Sequence, residues 1–197
     1  MPTPIEKNRK YTYGEIEKLS DTEIWELLDG VPYLQARPSM PHQMSLGELH
    51  FLFKTFLKGK PCQVILESAV WLDLKPNEKR KNSINYVVPD LLVVCDQDKI
   101  QDKGIYGVPD LIIEILSPST AGVDIIQKYN KYLKAGVKEY WIVDPLNQVI
   151  RAFVLDNNKY LETVYDRESK IPVSIFNGEL EINLNEVFPV TEEEDDE

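Results

Sequence analysis

Val88-Pro89-Asp90-Leu91-Leu92-Val93-Val94 and Val108-Pro109-Asp110-Leu111-Ile112-Ile113-Glu114 each place Pro-Asp at the head of a run of branched apolar residues. The second run ends on a glutamate and continues into Ile115-Leu116-Ser117-Pro118-Ser119-Thr120. Short runs this rich in Val, Ile and Leu, bounded by Pro, Asp or Gly, read as buried strands rather than helices. An ionised carboxylate in the wall of a buried sheet costs several kcal/mol unless something pairs with it, and a divalent cation held by two carboxylates is one solution. Asp110 and Glu114 share a strand face but lie roughly 13 Å apart at about 3.3 Å per residue, too far to share one ion. Asp90 sits on a separate strand, and neighbouring strands about 4.8 Å apart would bring its carboxylate to that of Glu114. Asp90 and Glu114 are therefore the metal-site candidates; the alternative is that they cap turns or pair with lysines.

The chain's 197 residues, 43% of them hydrophobic, suffice for one core, so a single domain over residues 1–190 is expected. Residues 191–197 carry six acidic groups and no apolar one, which predicts a solvated, disordered tail. Without the tail, the formal charge of -11 falls to about -5 for the body. That balance argues against a protein that coats nucleic acid through its overall field. Local basic clusters at Lys79-Arg80-Lys81 and at Lys128, Lys131, Lys134 and Lys138 still allow a phosphate-facing patch. No apolar run approaches the roughly 18 residues of a membrane span, and Met1 to Tyr13 is polar where a signal peptide would be apolar. A cytoplasmic protein without membrane contact is the expectation. Cys62 and Cys95, with no metal-ligand spacing, read as buried free thiols of a reducing compartment.

Along the chain, Tyr13 to Lys18 predicts a short helix and Ile24 to Leu34 a hairpin, because Asp29-Gly30 between apolar runs favours turns with positive φ. Leu46, Leu49, Phe53 and Leu57 fall at helical spacing within His42 to Leu57. Strands are expected at Gln63 to Leu74, Tyr86 to Cys95 and Pro109 to Leu116, separated by charged loops at 75–85 and 96–107. A helix from Gly122 to Lys134 stops at Gly136, and Glu139 to Asp144 is a further buried strand. Shorter β pieces follow at Val149 to Leu155, Tyr160 to Tyr165 and Leu180 to Leu184. The fold class is α/β: helix, three strands, helix and strand around a central mixed sheet flanked by helices, with extra β elements at both ends.

This order, with an acid after proline and a second acid on the next strand, resembles the PD-(D/E)XK restriction-endonuclease-like core. More closely, the chain is similar to the Uma-two family of restriction-endonuclease-like proteins. The likeness runs from Trp25-Glu26-Leu27-Leu28-Asp29-Gly30 through Pro89-Asp90 and Glu114 to Thr120. It continues through Asp124, Lys128, Tyr132 and Gly136-Val137 to Glu139-Tyr140-Trp141-Ile142-Val143-Asp144-Pro145. The resemblance implies a nuclease, and phosphodiester hydrolysis supplies the chemical reason for the acids. A hard cation, Mg²⁺ or Mn²⁺, on Asp90 and Glu114 would provide the nucleophile and offset charge on the phosphoryl oxygens.

The nuclease motif expects lysine two residues after the second acid, and Leu116 stands there. Lys128 is the candidate replacement, since it flanks the helical apolar face of Ile125, Tyr129 and Tyr132 while Lys131 and Lys134 turn further out. Its alternative role is an i,i+4 pair with Asp124. Glu26 matches the acid of the family's Glu-Leu-x-Asp-Gly segment, as a further ligand or as a hairpin surface charge. Asp29 and Gly30 read as turn formers, His42 as an approach to phosphate or an exposed helix start, Ser117 and Ser119 as helix caps, and Trp25, Trp71 and Trp141 as core. Two functions stand: a Mg/Mn-dependent endonuclease acting on nucleic acid, DNA in the first instance, and a catalytically inactive member of the fold that binds protein or nucleic acid. A homodimer is compatible with either.

Overall fold

The computed structural model describes residues 6, 9–19, 23–35, 37–75, 78–117 and 124–188. The 191–197 tail, Ser119 and Asp124 as a side-chain partner lie outside the described residues. Helix α1 (Tyr13–Ile16) precedes strands β1 (Trp25–Leu28) and β2 (Val31–Leu34), which lead into helix α2 (Met40–Phe56). Next come β3 (Gln63–Leu66), β4 (Val70–Trp71), β5 (Tyr86–Val87), β6 (Leu91–Val94), β7 (Ile100–Gln101), β8 (Gly104–Tyr106) and β9 (Leu111–Ile115). Helix α3 (Asp124–Ala135), β10 (Glu139–Asp144), β11 (Val149–Asp156), β12 (Lys159–Asp166), β13 (Lys170–Pro172) and β14 (Glu181–Asn183) complete the order.

Among the described residues the strands form two six-stranded sheets and a small hairpin. The central sheet runs β12-β11-β10-β9-β6-β3 and is mixed, because β9 lies parallel to β10 and antiparallel to β6. The second runs β2-β1-β5-β4-β8-β7, and β13 pairs with β14. The expected core order of helix, three strands, helix and strand is present as α2, β3, β6, β9, α3 and β10.

Two of the three expected strands are each divided between the sheets. Gln63 to Leu74 breaks after β3 at Glu67, whose φ is +44°, and resumes as β4 in the second sheet. Tyr86 to Cys95 breaks at Val88-Pro89-Asp90, where proline has no N–H to offer a ladder, so β5 belongs to one sheet and β6 to the other. The loop expected at 96–107 contains the β7–β8 hairpin. Its charged residues hid a pair of strands too short to show a periodic pattern.

The apolar runs are continuous because the central sheet is covered on both faces. Leu91, Val93, Leu111 and Ile113 pack with Leu46, Leu49 and Phe53 of α2. The alternate residues Leu92, Val94 and Ile112 pack with Tyr132 and Val137 on the α3 side. Asp29 and Gly30 both take positive φ, as a tight hairpin turn requires, and Gly136 ends α3 at φ +87°. Trp71 and Trp141 are buried, while Trp25 packs at the edge of a small cluster with Tyr11, Ile16 and Leu27.

Cys62 and Cys95 form a disulfide, which corrects the expectation of free thiols. The pairing Gln63↔Val94 between antiparallel β3 and β6 sets the preceding and following residues opposite each other, a proximity that a separation of 33 residues cannot reveal. The argument from thiols to a reducing compartment falls with it. Among the described residues no helix is long and apolar enough to cross a membrane.

Candidate active site

Strand register brings the two acids together. Leu91 pairs with Ile113 and Leu92 with Ile112, so one step further along the ladder Asp90 stands opposite Glu114. Both share the face of Leu92 and Ile112, the one that α3 covers, because side chains alternate along a strand. Both are 9% exposed. The Asp90 carboxylate is held at both oxygens: the Ile115 N–H donates to Oδ2 at 2.7 Å, and His42 Nε2 lies 3.2 Å from Oδ1. The Asp90 carbonyl accepts the Glu67 N–H at 3.1 Å, which ties the left-handed break after β3 to the same place.

The cation of the site comes from α3. Lys128 Nζ lies 2.9 Å from Glu26 Oε2 and 3.1 Å from Glu114 Oε1, and all three side chains are buried. Glu26 is fixed in turn by the Val88 N–H, which donates to its Oε1 at 2.8 Å. One helical turn beyond Lys128, the Tyr132 hydroxyl donates to Glu114 Oε1 at 2.6 Å. Positions i and i+4 share a helix face, so one stripe of α3 delivers both groups to one carboxylate.

Burial pushes the Glu114 carboxyl up to about 7, with Glu26 and Asp90 adding to the rise and Lys128 and the Tyr132 hydroxyl opposing it. Burial works against the charge on Lys128, but the carboxylates of Glu114 and Glu26 outweigh it and hold the ammonium above its usual range. Burial also raises the Tyr132 phenol, so it remains a hydrogen-bond donor. Three buried acids thus face one permanently charged lysine and one histidine. The surrounding cleft, about 610 Å³, draws its walls from both sheets and from the start of α2.

Of the residues singled out from sequence, Asp90, Glu114, Lys128 and Glu26 all line this cleft. Glu26 is not a hairpin surface charge, being 3% exposed. Asp110 is turned to other partners, accepting from Lys138 Nζ at 2.7 Å and from the Cys95 N–H at 2.8 Å. Lys131, expected to turn further out than Lys128, is also buried at 9% exposed and meets Asp29 at 2.6 Å, holding that carboxyl below its usual range. His42 is not an exposed helix start, but lies buried in the first turn of α2 after the Ser39 cap. Its signal was available, since 42, 46, 49 and 53 continue one heptad-like stripe toward the core. Tyr132 was legible as part of an apolar face but its hydroxyl bond was not. Ser117 is buried at the cleft wall. Among the described residues no three His, Cys, Asp or Glu side chains are gathered as a ready metal cluster.

A fold of this class, with paired acids on neighbouring strands and a basic group from the following helix, agrees with the sequence relationships. The model of the Uma2 family, described as "Putative restriction endonuclease", matches residues 12–185, and the chain belongs to that family. An uncharacterized protein of Synechocystis sp., slr1290, is 32% identical over 107 residues, covering 54% of this chain. The match spans 53% of that relative, so the chain aligns with about half the length of the curated relative. The crystal structure of a protein described as a putative nuclease of DUF820, from Anabaena variabilis, superposes with a TM-score of 0.72 at 22% identity, over 90% of this chain and 97% of that one. The shared architecture is the restriction-endonuclease-like core.

Proposed function

We propose that the protein is a divalent-cation-dependent endonuclease that hydrolyses phosphodiester bonds, with DNA as its substrate. The observation that carries this is the geometry of the cleft: Asp90 and Glu114 meet from opposed strand positions beside the buried Glu26, three acids against one lysine and one histidine. The donor set fits a hard cation. Asp90 and Glu114 offer carboxylate oxygens from opposed positions, and Mg²⁺ or Mn²⁺ takes one or two protein carboxylates and completes its shell with water and substrate phosphate. When bound, such an ion supplies a water of lowered pKa and neutralises charge on the phosphoryl oxygens.

The chain's own residues would do the rest. Asp90 and Glu114 would hold the ion, with Asp90 oriented by His42 and the Ile115 N–H. Lys128 uses its ammonium donors on Glu26 and Glu114, and its remaining donor capacity faces attacking water or phosphate. Glu26 positions Lys128, and Tyr132 positions Glu114. In this assignment Glu26 acts through the lysine rather than on the ion. The cytoplasm goes with nucleic acid as substrate, and the Cys62–Cys95 disulfide is the observation that pulls the other way.

Cleavage of supercoiled plasmid with and without Mg²⁺ or Mn²⁺ tests the proposal. Asp90→Asn and Glu114→Gln should each abolish it, because each removes a charged ligand from the ion that offsets developing phosphoryl charge. Cleavage that persists without cation in both variants would sink the mechanism. The second function, binding without catalysis, is favoured by Leu116 in the strand position of the motif lysine. Cation-dependent retention of DNA with no strand scission would establish it instead. A dimeric form of the protein is compatible with both.

A further inference from the structure

We infer that Arg37 is the phosphate-binding residue of the cleft, seating a backbone phosphate beside the scissile one; the inference rests on the phosphodiesterase function proposed above. The cleft wall carries the cations Arg37 and Lys128 together with His42. Lys128 is held between Glu26 and Glu114, with what donor capacity remains assigned above to the scissile phosphate and its water, and His42 is held by Asp90. Arg37 forms no ion pair or hydrogen bond with any of the described residues, although the same wall holds several carboxylates. An exposed guanidinium with no partner among the described residues, on the wall of an acidic cleft, is placed for an anion that comes from outside.

The segment bearing Arg37 is anchored on both sides. Gln35 donates its amide to the Val88 carbonyl at 2.8 Å and its N–H to the Ile24 carbonyl at 2.9 Å. Two residues after Arg37, Ser39 caps α2 by accepting the His42 N–H. Pro38 stands between with its φ fixed by the ring. Gln35 and Ser39, two residues to either side of Arg37, are thus fixed, and the planar fork suits two oxygens of one phosphate. Electrostatics give the residue added weight. With a formal net charge of -11, the chain as a whole repels a polyanion, so attraction at the cleft has to be local.

The test is fluorescence anisotropy of a short labelled DNA duplex in Ca²⁺ across a series of salt concentrations, using the full chain. Arg37→Ala should weaken binding on the order of tenfold and lower the slope of log K against log salt by about one. Arg37→Glu should weaken it further, Arg37→Lys should restore part of the affinity, and Lys159→Ala, a change on a distant edge strand, should leave binding unchanged. Wild-type affinity and slope in Arg37→Ala would overturn the assignment while leaving the nuclease proposal standing. Equal losses in Arg37→Ala and Lys159→Ala would overturn it too, as a general charge effect. A wild-type protein that binds no DNA would overturn the function on which the assignment rests. Melting curves of each variant, expected to match wild type because Arg37 is exposed, separate lost binding from lost fold.

Discussion

Replacing Lys128 by Met keeps the unbranched stem, one atom shorter, and removes its charge, leaving Glu26 and Glu114 buried without their shared partner. Breaking a buried pair by deleting one member costs about 3–5 kcal/mol, most of it the penalty of the charge left behind. For a chain of this size each kcal/mol moves the melting temperature by roughly 2–4 °C, so a fall of roughly 6–20 °C is expected near pH 8. The deficit should depend on pH in a definite direction. The Glu114 carboxyl already stands at about 7 in the fold against an ordinary 4.5, and without Lys128 it rises further. An acid whose folded value is raised keeps its proton in the fold where the unfolded chain has lost it, so stability falls as pH rises from 4.5 through the folded value. The variant should therefore lose more stability than wild type on going from pH 5 to pH 8, at up to about 1.4 kcal/mol per pH unit within the window. Urea denaturation at the two pH values reads this directly, and adding Glu114→Gln to the variant should flatten the dependence. A deficit of equal size at both pH values, or none at pH 8, would show that Lys128 is not the counter-charge of these acids.

Tyr132→Phe removes the 2.6 Å donor to Glu114 and should cost about 1.5–3 kcal/mol at pH 8, measured by urea denaturation, with less loss at pH 5 where Glu114 is protonated. Glu139 is fully buried, and that burial raises its carboxyl despite donations from the Ile175 N–H at 2.9 Å and Trp141 Nε1 at 2.8 Å. Wild-type stability should accordingly drop as pH climbs from 4.5 through the raised value, and Glu139→Gln should lose that part of the slope, a difference that parallel denaturation curves reveal. Truncation of residues 191–197, which include no apolar side chain, should leave the melting temperature unchanged; a large decrease would mean that the segment docks on the body.

The parts of the fold that announce themselves in sequence are those in which one periodicity persists. The α2 stripe, the Gly136 stop, the Asp29-Gly30 turn and the apolar runs at Leu91, Leu111 and Tyr140 each extend far enough, or use a residue special enough, to be read locally. What escaped was decided by tertiary position. The change of sheet at Glu67 and at Pro89 leaves the apolar pattern intact on both sides, so each expected strand looked continuous. Lys131 and Lys128 are three residues apart on one helix, and nothing in that spacing says that Asp29 waits for one of them while Glu26 and Glu114 share the other. Asp90 and Glu114 were legible as a pair because strand spacing limits which acids can meet, whereas the clamp of His42 on Asp90 depends on how the start of α2 crosses the sheet.

In the proposed assignment a lysine on α3 takes the place of the one that the nuclease motif has on the strand, and the same face argument accounts for it. Residues 112, 114 and 116 alternate onto the face covered by α3, and Leu116 packs there against the cluster of Ile112, Tyr132 and Tyr140. A leucine at this position extends the apolar layer but leaves Glu114 without a charge on its own strand. The helix crossing that layer supplies the charge from above: Lys128 and Tyr132, one turn apart, both reach Glu114 Oε1, and Glu26 from the second sheet closes on the lysine from the other side. The location of a cation relative to an acid is therefore set by which element covers the acid's face, and the offset of two residues along the strand is one way among several of meeting that condition. It also explains why the site lies where the chain passes between the sheets. There β1, β9 and α3, together with Asp90 at the head of β6, each bring one group to a single point while β6 and the rest of β9 remain apolar and buried.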